Sequence, residues 1–316
     1  MKSKKIAITI GDPAGIGPEI VLKAIMSHEI TGICEPVIVG DRAVIEEAIG
    51  KLGLPAGIKD LELIDTSSIK DGNFQKNKPT AEGGRACASY IKKAVELALN
   101  KSVDAVVTAP ISKEALKMAG FKWPGHTEML AELTNTKDFA MMFYSEKLKV
   151  ILVTIHTALS NVPDLIKKEK VLKTIILAKK SCDMLDIKNP LIAVSGLNPH
   201  AGESGIFGNE EIKEIAPAIE EAQNMGIPVS GPYPADTLFH RAYNGEFDII
   251  VCMYHDQGLT PFKMIAFEKG VNMTVGLPII RTSPDHGTAC DIAWKGIANP
   301  SSIIEAIKLA ARVILR

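Results

Sequence analysis

The chain has 316 residues, 46% of them hydrophobic and 23% charged, with 36 Lys and Arg against 37 Asp and Glu for a net charge of −1. This composition excludes a disordered or fibrous chain, and the length fits two domains or one large α/β unit with an insertion. The balanced charge supplies no global positive field for nucleic acid or an anionic membrane, so any anion must be held by local cations.

Short β-branched runs at 6–10, 36–39, 105–107, 150–155, 191–194 and 248–253 predict strands, each followed by a longer helical pattern. Such alternation points to an α/β fold with mainly parallel strands. Pro18 after Gly17 suits the first position of a helix over 19–26. The many lysines of 162–186 alternate with Val, Leu and Ile at helical spacing, which reads as an amphipathic helix with a solvated basic face. Asn209, with acids in the following turn and Gly226 as a stop, predicts a helix over 210–225. No apolar run approaches the ~20 residues of a membrane span. The apolar stretch after Lys2, Lys4 and Lys5 is too short for a signal peptide, and a cytoplasmic protein is expected. Cys34, Cys87, Cys182, Cys252 and Cys290 are an odd, scattered set without C-x-x-C spacing, which fits reduced thiols. Cys252, within an apolar run, reads as core.

In open α/β sheets ligands collect beyond the carboxyl ends of the strands. His156, His200 and His255 each follow a predicted strand, and three neutral imidazoles there can form a divalent-metal site with open positions for substrate. Isolated polar or capping histidines are the competing reading. The turn from Gly11 to Pro18 matches neither the G-x-G-x-x-G dinucleotide fingerprint nor the P-loop, so a Rossmann fingerprint fold is rejected. It is either a tight strand-to-helix turn or a substrate-facing loop. Lys263 and Arg281 are cations able to hold a phosphate or a carboxylate, with salt bridging or surface solvation as the alternative. His126 and Thr127 stand at a candidate helix start. Asp236 and Asp256 are carboxylates suited to proton transfer or substrate orientation, against turn formation and support of His255.

The stretch 281–300, with His286-Gly287-Thr288-Ala289-Cys290-Asp291-Ile292-Ala293 leading to Lys295-Gly296-Ile297-Ala298-Asn299-Pro300, reads as a loop, a helix and an Asn-Pro stop. It resembles the nicotinamide-cofactor loop of the isocitrate and isopropylmalate dehydrogenase superfamily. By that resemblance His286 lies near adenine and Asp291 near its ribose, which favours NAD over NADP because a carboxylate disfavours a 2′-phosphate.

Together with Gly11-Asp12-Pro13-Ala14-Gly15-Ile16-Gly17-Pro18, Pro124-Gly125-His126-Thr127-Glu128, Leu197-Asn198-Pro199-His200-Ala201-Gly202-Glu203 and Tyr254-His255-Asp256-Gln257-Gly258, this loop makes the whole chain similar to the 4-hydroxythreonine-4-phosphate dehydrogenase family, which includes the D-threonate and D-erythronate 4-phosphate dehydrogenases. The resemblance implies two α/β domains flanking a cleft, a discontinuous cofactor-loop domain at 1–125 and 272–316, and a metal- and substrate-binding domain at 126–271. It implies a divalent metal (Zn, Mg or Co) on His156, His200 and His255, the third from the neighbouring subunit of a homodimer. It also implies a phosphorylated four-carbon acid held by His126, Thr127, Lys263, Asn272 and Arg281, with Asp236, Asp256 and Lys263 as candidates for catalysis. The implied reaction is NAD-dependent oxidation of 4-phosphooxy-L-threonine to a 3-oxo acid that decarboxylates to 3-amino-2-oxopropyl phosphate, on the pyridoxal phosphate pathway. D-Threonate or D-erythronate 4-phosphate, giving dihydroxyacetone phosphate, is the alternative substrate. A metal-dependent phosphoesterase is the alternative of another class, and the cofactor-like loop weighs against it.

Overall fold

A computed structural model describes residues 4–53, 61–69 and 74–314. The chain forms two compact units, 1–137 with 277–316, and 138–276. The first unit therefore extends past the expected limit at 125 and does not begin again at 272. Two elements cause the shift: the helix that starts at His126 packs on the first unit, and the strand that contains Asn272 pairs within the second.

The first unit runs β1 (Lys5–Thr9), α1 (Gly17–Ile25), β2 (Glu35–Gly40), α2 (Arg42–Leu52), β3 (Glu62–Asp65), α3 (Ala81–Leu99), β4 (Ala105–Thr108), α4 (Lys113–Met118) and α5 (His126–Leu133). The second runs β5 (Ala140–Tyr144), β6 (Lys149–Leu152), α6 (Val162–Leu165), α7 (Lys168–Met184), β7 (Ile192–Ser195), α8 (Ala216–Asn224), β8 (Val229–Tyr233), α9 (Ala235–Tyr243), β9 (Ile249–Cys252), α10 (His255–Ala266) and β10 (Val271–Val275). The chain then returns to the first unit through β11 (Ile280–Pro284) and α11 (Ser301–Ile314).

The strands of the first unit lie in the order β3-β2-β1-β4-β11 and are all parallel. Parallel sheets carry helices on their faces, and the apolar strand runs obey this: Ile6, Ala7, Ile8, Val106 and Val107 are all 0% exposed. Thr80 and Ser112 start α3 and α4 by accepting hydrogen bonds from Gly83 N–H and Ala115 N–H, at 3.0 and 3.1 Å. In the second unit the order is β10-β5-β6-β9-β7-β8, with β5 antiparallel to both β6 and β10. The expected mainly parallel character holds, and the antiparallel part comes from strands the sequence pattern did not mark. Cys252 lies in β9, 0% exposed among apolar neighbours, and all five cysteines are free thiols. Among the described residues no helix is long and apolar enough to cross a membrane.

Helix α3 approaches α4 at Gly84, where an added Cβ would lie 2.0 Å from the Ala115 carbonyl oxygen. A methyl group has no space at that point. Gly84→Ala is therefore expected to lower stability by about 1–3 kcal/mol despite the better helix propensity of Ala. Equilibrium urea unfolding checks this, and an unchanged or higher midpoint would show that the two helices separate freely.

Candidate functional site

Three elements of the first unit converge on one buried cation. Arg281, in β11, is 1% exposed. Its Nε–H and Nη2–H both donate to Thr108 Oγ1 at the end of β4, at 3.2 and 2.7 Å. Burial pulls the guanidinium down to about 9, and the Glu128 carboxylate on α5 opposes that pull. The side chain thus stays charged at neutral pH where charge is costly, and a negatively charged ligand group is favoured beside it. His126 and Thr127 open α5. Burial, and then the charge of Arg281, push the His126 imidazole well below the usual histidine range. It is neutral, and its buried Nε2 has no hydrogen-bond partner in the protein, as expected of a group that awaits a ligand.

The C-terminal loop differs from expectation: residues 286–300 form turns and no helix, with Ala289 and Trp294 at φ 40° and 62°. Positive φ at non-glycine residues breaks any helical run. The loop is instead clasped from outside. Glu19, 3% exposed on α1, accepts from Gly296 N–H at 3.2 Å and Ala298 N–H at 2.8 Å. Lys23, one turn on, donates to the carbonyls of the same two residues at 2.8 and 2.9 Å and to Glu19 at 2.8 Å. Trp294 Nε1–H donates to the Pro13 carbonyl at 2.9 Å, and Ile16 N–H to the Thr288 carbonyl at 2.9 Å. The Gly11–Pro18 turn is buried and packs against this loop as a tight strand-to-helix connection. His286 and Asp291 remain exposed on the clasped loop. An exposed imidazole and an exposed carboxylate on a fixed backbone fit the adenine and ribose hydroxyls of a dinucleotide.

The three histidines all belong to the second unit, each beyond the carboxyl end of a strand: His156 after β6, His200 after β7 and His255 at the start of α10 after β9. The rings of His156 and His255 have centroids 6.1 Å apart. Asp256 Oδ1 lies 2.7 Å from His255 Nδ1, and an Nδ1–H donated there leaves the Nε2 lone pair for a ligand. Neutral imidazoles placed at strand ends are donors that suit a divalent transition ion. Within one chain, and among the described residues, no three His, Cys, Asp or Glu side chains come close enough to hold a metal. Lys263 lies on α10, and Asn272 lies in β10 with a buried Oδ1 that has no partner in the protein. Asp236 is exposed in the first turn of α9.

Sequence reasoning did not single out Glu19, Lys23, Thr108 or Glu128 as shaping these sites. An acid after Pro18 and a base four residues later read as an ordinary surface pair on a helix, and nothing local announces that their partners lie some 280 residues away.

The sheet order and the helices that cover it define an α/β fold shared with isocitrate dehydrogenases. An isocitrate dehydrogenase from Methylococcus capsulatus matches with a TM-score of 0.51 and 15% identity, over 96% of this chain and 83% of that one, a likeness of fold. More particularly, the chain belongs to the family of the pyridoxal phosphate biosynthetic protein PdxA, whose model matches residues 32–310. It is 48% identical to a 4-hydroxythreonine-4-phosphate dehydrogenase of Desulforapulum autotrophicum, over 97% of this chain and 94% of the relative. It is also 48% identical to a putative D-threonate 4-phosphate dehydrogenase of Oceanobacillus iheyensis, over 98% of each. The crystal structure of a 4-hydroxythreonine-4-phosphate dehydrogenase from Klebsiella pneumoniae matches with a TM-score of 0.90 and 40% identity, over 100% of this chain and 99% of that one.

The depressed imidazole of His126 has a consequence for stability. In the unfolded chain it protonates near 6.5, and in the folded protein well below that. Between the two values the unfolded state binds the extra proton, so stability falls as pH drops below 6.5. Relative to His126→Gln, wild type should lose stability more steeply over that range in urea unfolding. Parallel curves for the two proteins would contradict a buried neutral imidazole.

Proposed function

We propose that the protein is an NAD-dependent, divalent-metal-dependent dehydrogenase that oxidises the C3 hydroxyl of 4-phosphooxy-L-threonine, in the formation of pyridoxal phosphate. The observation that carries the anionic-substrate part is Arg281, a guanidinium held charged out of water near a neutral His126 whose buried Nε2 has no partner in the protein. A buried positive charge of this kind discriminates strongly in favour of a phosphorylated or carboxylated ligand. His126 adds an imidazole near it and Thr127 follows on the same helix, while Lys263 and Asn272 are the second unit's candidates for holding substrate. Asp256 is engaged with the His255 ring, so it serves to orient that ring. Asp236 and Lys263 are left as candidates to accept the hydroxyl proton.

His156, His200 and His255 hold the metal, and His286 and Asp291 hold the adenosine end of NAD. When bound, the ion supplies a Lewis acid that lowers the hydroxyl pKa, and the nicotinamide supplies the hydride acceptor. Loss of the hydroxyl proton and of hydride from C3 gives a 3-oxo acid. That acid loses carbon dioxide, and the enolate left behind takes up a proton at the former C2 to give 3-amino-2-oxopropyl phosphate. During this step Arg281 keeps the acid anchored by charge-assisted hydrogen bonds.

The working unit is a homodimer with a shared metal site. A single chain does not bring three donors together among its described residues, and α10, which carries His255, exposes Met264 at 83%, with Phe267 just beyond it at 76%. Apolar side chains left so open mark a surface for another protein copy. The soluble, cytoplasmic setting follows from the same reading. D-Threonate 4-phosphate is the second substrate reading, favoured by the equal identity to the relative of that name.

Formation of NADH, followed at 340 nm with both phosphorylated acids and with metal added or chelated, tests the reaction. Turnover of 4-phosphooxy-threonine that disappears on chelation is expected. Undiminished turnover in metal-free protein would contradict the mechanism, and preference for D-threonate 4-phosphate would select the second substrate.

The shared site is tested by mixing inactive His156→Ala with inactive His255→Ala protein under subunit exchange. If His255 crosses from the partner, about half the dimers are mixed and each holds one intact site, so roughly a quarter of wild-type sites should return. No recovery despite verified exchange would place His156 and His255 in the same site from the same chain.

A further inference from the structure

The segment that carries His200 has an unusual backbone. His200, Ala201, Gly202, Glu203 and Ser204 have φ of 52°, 53°, 82°, 44° and 56°, and Gly205 follows at 96°. Only two of these six residues are glycine. Left-handed backbone is unfavourable for L-residues and persists where surrounding structure over-determines it. The bonds within the turn, such as Ala201 N–H to the Asn198 carbonyl at 3.1 Å, do not anchor it to the rest of the unit.

The anchor is Glu211. This carboxylate is 3% exposed and sits at the start of a π-helical stretch, Glu211–Ile215, within the region expected as one regular helix. Its Oε1 accepts from Leu197 N–H at 2.8 Å and Asn198 N–H at 2.7 Å, and its Oε2 accepts from Asn198 Nδ2 at 2.9 Å. Neighbouring glycines make room for it. A Cβ at Gly202 would lie 2.7 Å from Oε2, and one at Gly196 would lie 3.2 Å from Oε1 and 2.8 Å from Ala201 Cα. One carboxylate therefore ties both amides at the entrance of the left-handed turn and packs against its middle. A second tie joins this turn to the helix of His255: Gln257 donates to the Gly196 carbonyl at 2.7 Å and accepts from Met253 N–H at 2.6 Å.

We infer that Glu211 is a positioning residue for the metal site: it holds the left-handed turn in the shape that presents His200 as a donor, without touching an ion or substrate itself. This rests on the reading of His200 as a metal ligand. A carboxylate is suited to the task because it accepts on both oxygens at once, which no neutral side chain of its length does. Outer groups that fix a ligand's backbone typically change metal affinity by about 10- to 100-fold when removed.

The test is a Co²⁺ titration of metal-free dimer, read by visible absorption, for wild type, Glu211→Ala, Glu211→Gln and His200→Ala, with NADH affinity measured by fluorescence as a control. Glu211→Ala should weaken Co²⁺ binding by about 10- to 100-fold and alter the spectrum, with NADH affinity unchanged because His286 and Asp291 lie in the other unit. Glu211→Gln keeps the shape and one acceptor oxygen, so it should lose less affinity than Glu211→Ala, and it decides the question if the alanine variant does not fold. Wild-type affinity and spectrum in the Glu211 variants, with binding lost in His200→Ala, would overturn the positioning role alone. Wild-type binding in His200→Ala would overturn the metal reading and this inference with it.

Discussion

Arg281 imposes the central constraint on the first unit, because a full positive charge has been taken out of water in the middle of a buried strand. Such a charge persists only with acceptors and counter-charge arranged around it. Thr108 supplies the acceptor from β4, Glu128 supplies the negative charge from α5, and His126, on that same helix, is pushed toward its neutral form by burial and then by the guanidinium beside it. The position of β11 next to β4 and the start of α5 at His126 thus have a common electrostatic reason. A desolvated cation of this kind favours an anion beside it without any net positive charge on the chain.

The parallel sheets confine chemistry to their edges. With the central strands at or near zero exposure, most of the site's polar groups lie at or beyond the strand ends, where the three histidines, Asp256 and Thr108 are found, and Arg281 and Asn272 are exceptions inside strands. Irregular backbone at those ends then needs its own restraint. The two units solve this alike, each with a buried carboxylate that takes backbone amides of a distant turn: Glu19 for the segment around Gly296, Glu211 for the segment around Asn198. Both acids sit at or near the start of a helix, a favourable location for negative charge.

Much of this was legible in the sequence. The strand runs ending near His156, His200 and His255 follow from β-branched composition, and the α/β alternation follows from their spacing. The strands β3, β5, β8, β10 and β11 escaped notice, β8 because it holds Gly231 and Pro232. Ala140-Met141-Met142-Phe143-Tyr144 lacks β-branched residues, while Asn272 and Arg281 place polar side chains inside short strands that otherwise fit the pattern. The helix expected after Asp285 is absent because the clasp by Glu19, Lys23 and Pro13 imposes turns, a tertiary effect invisible to local propensity. The π-helical start of the region 210–225 has the same kind of cause, since Glu211 is held by Leu197 and Asn198. Glu19 and Glu211 read as ordinary surface acids because burial of a charged residue leaves no periodic trace.

The most direct measurement is calorimetric titration of 4-phosphooxy-threonine, and of D-threonate 4-phosphate, into wild type and Arg281→Met, both loaded with metal. Removal of charge-assisted hydrogen bonds worth about 1.5–3 kcal/mol should weaken binding by about 10- to 150-fold for whichever acid wild type binds. Equal affinity of the two proteins for that acid would mean that the buried guanidinium serves only the fold, and the account of an anion-directed site built around it would fail.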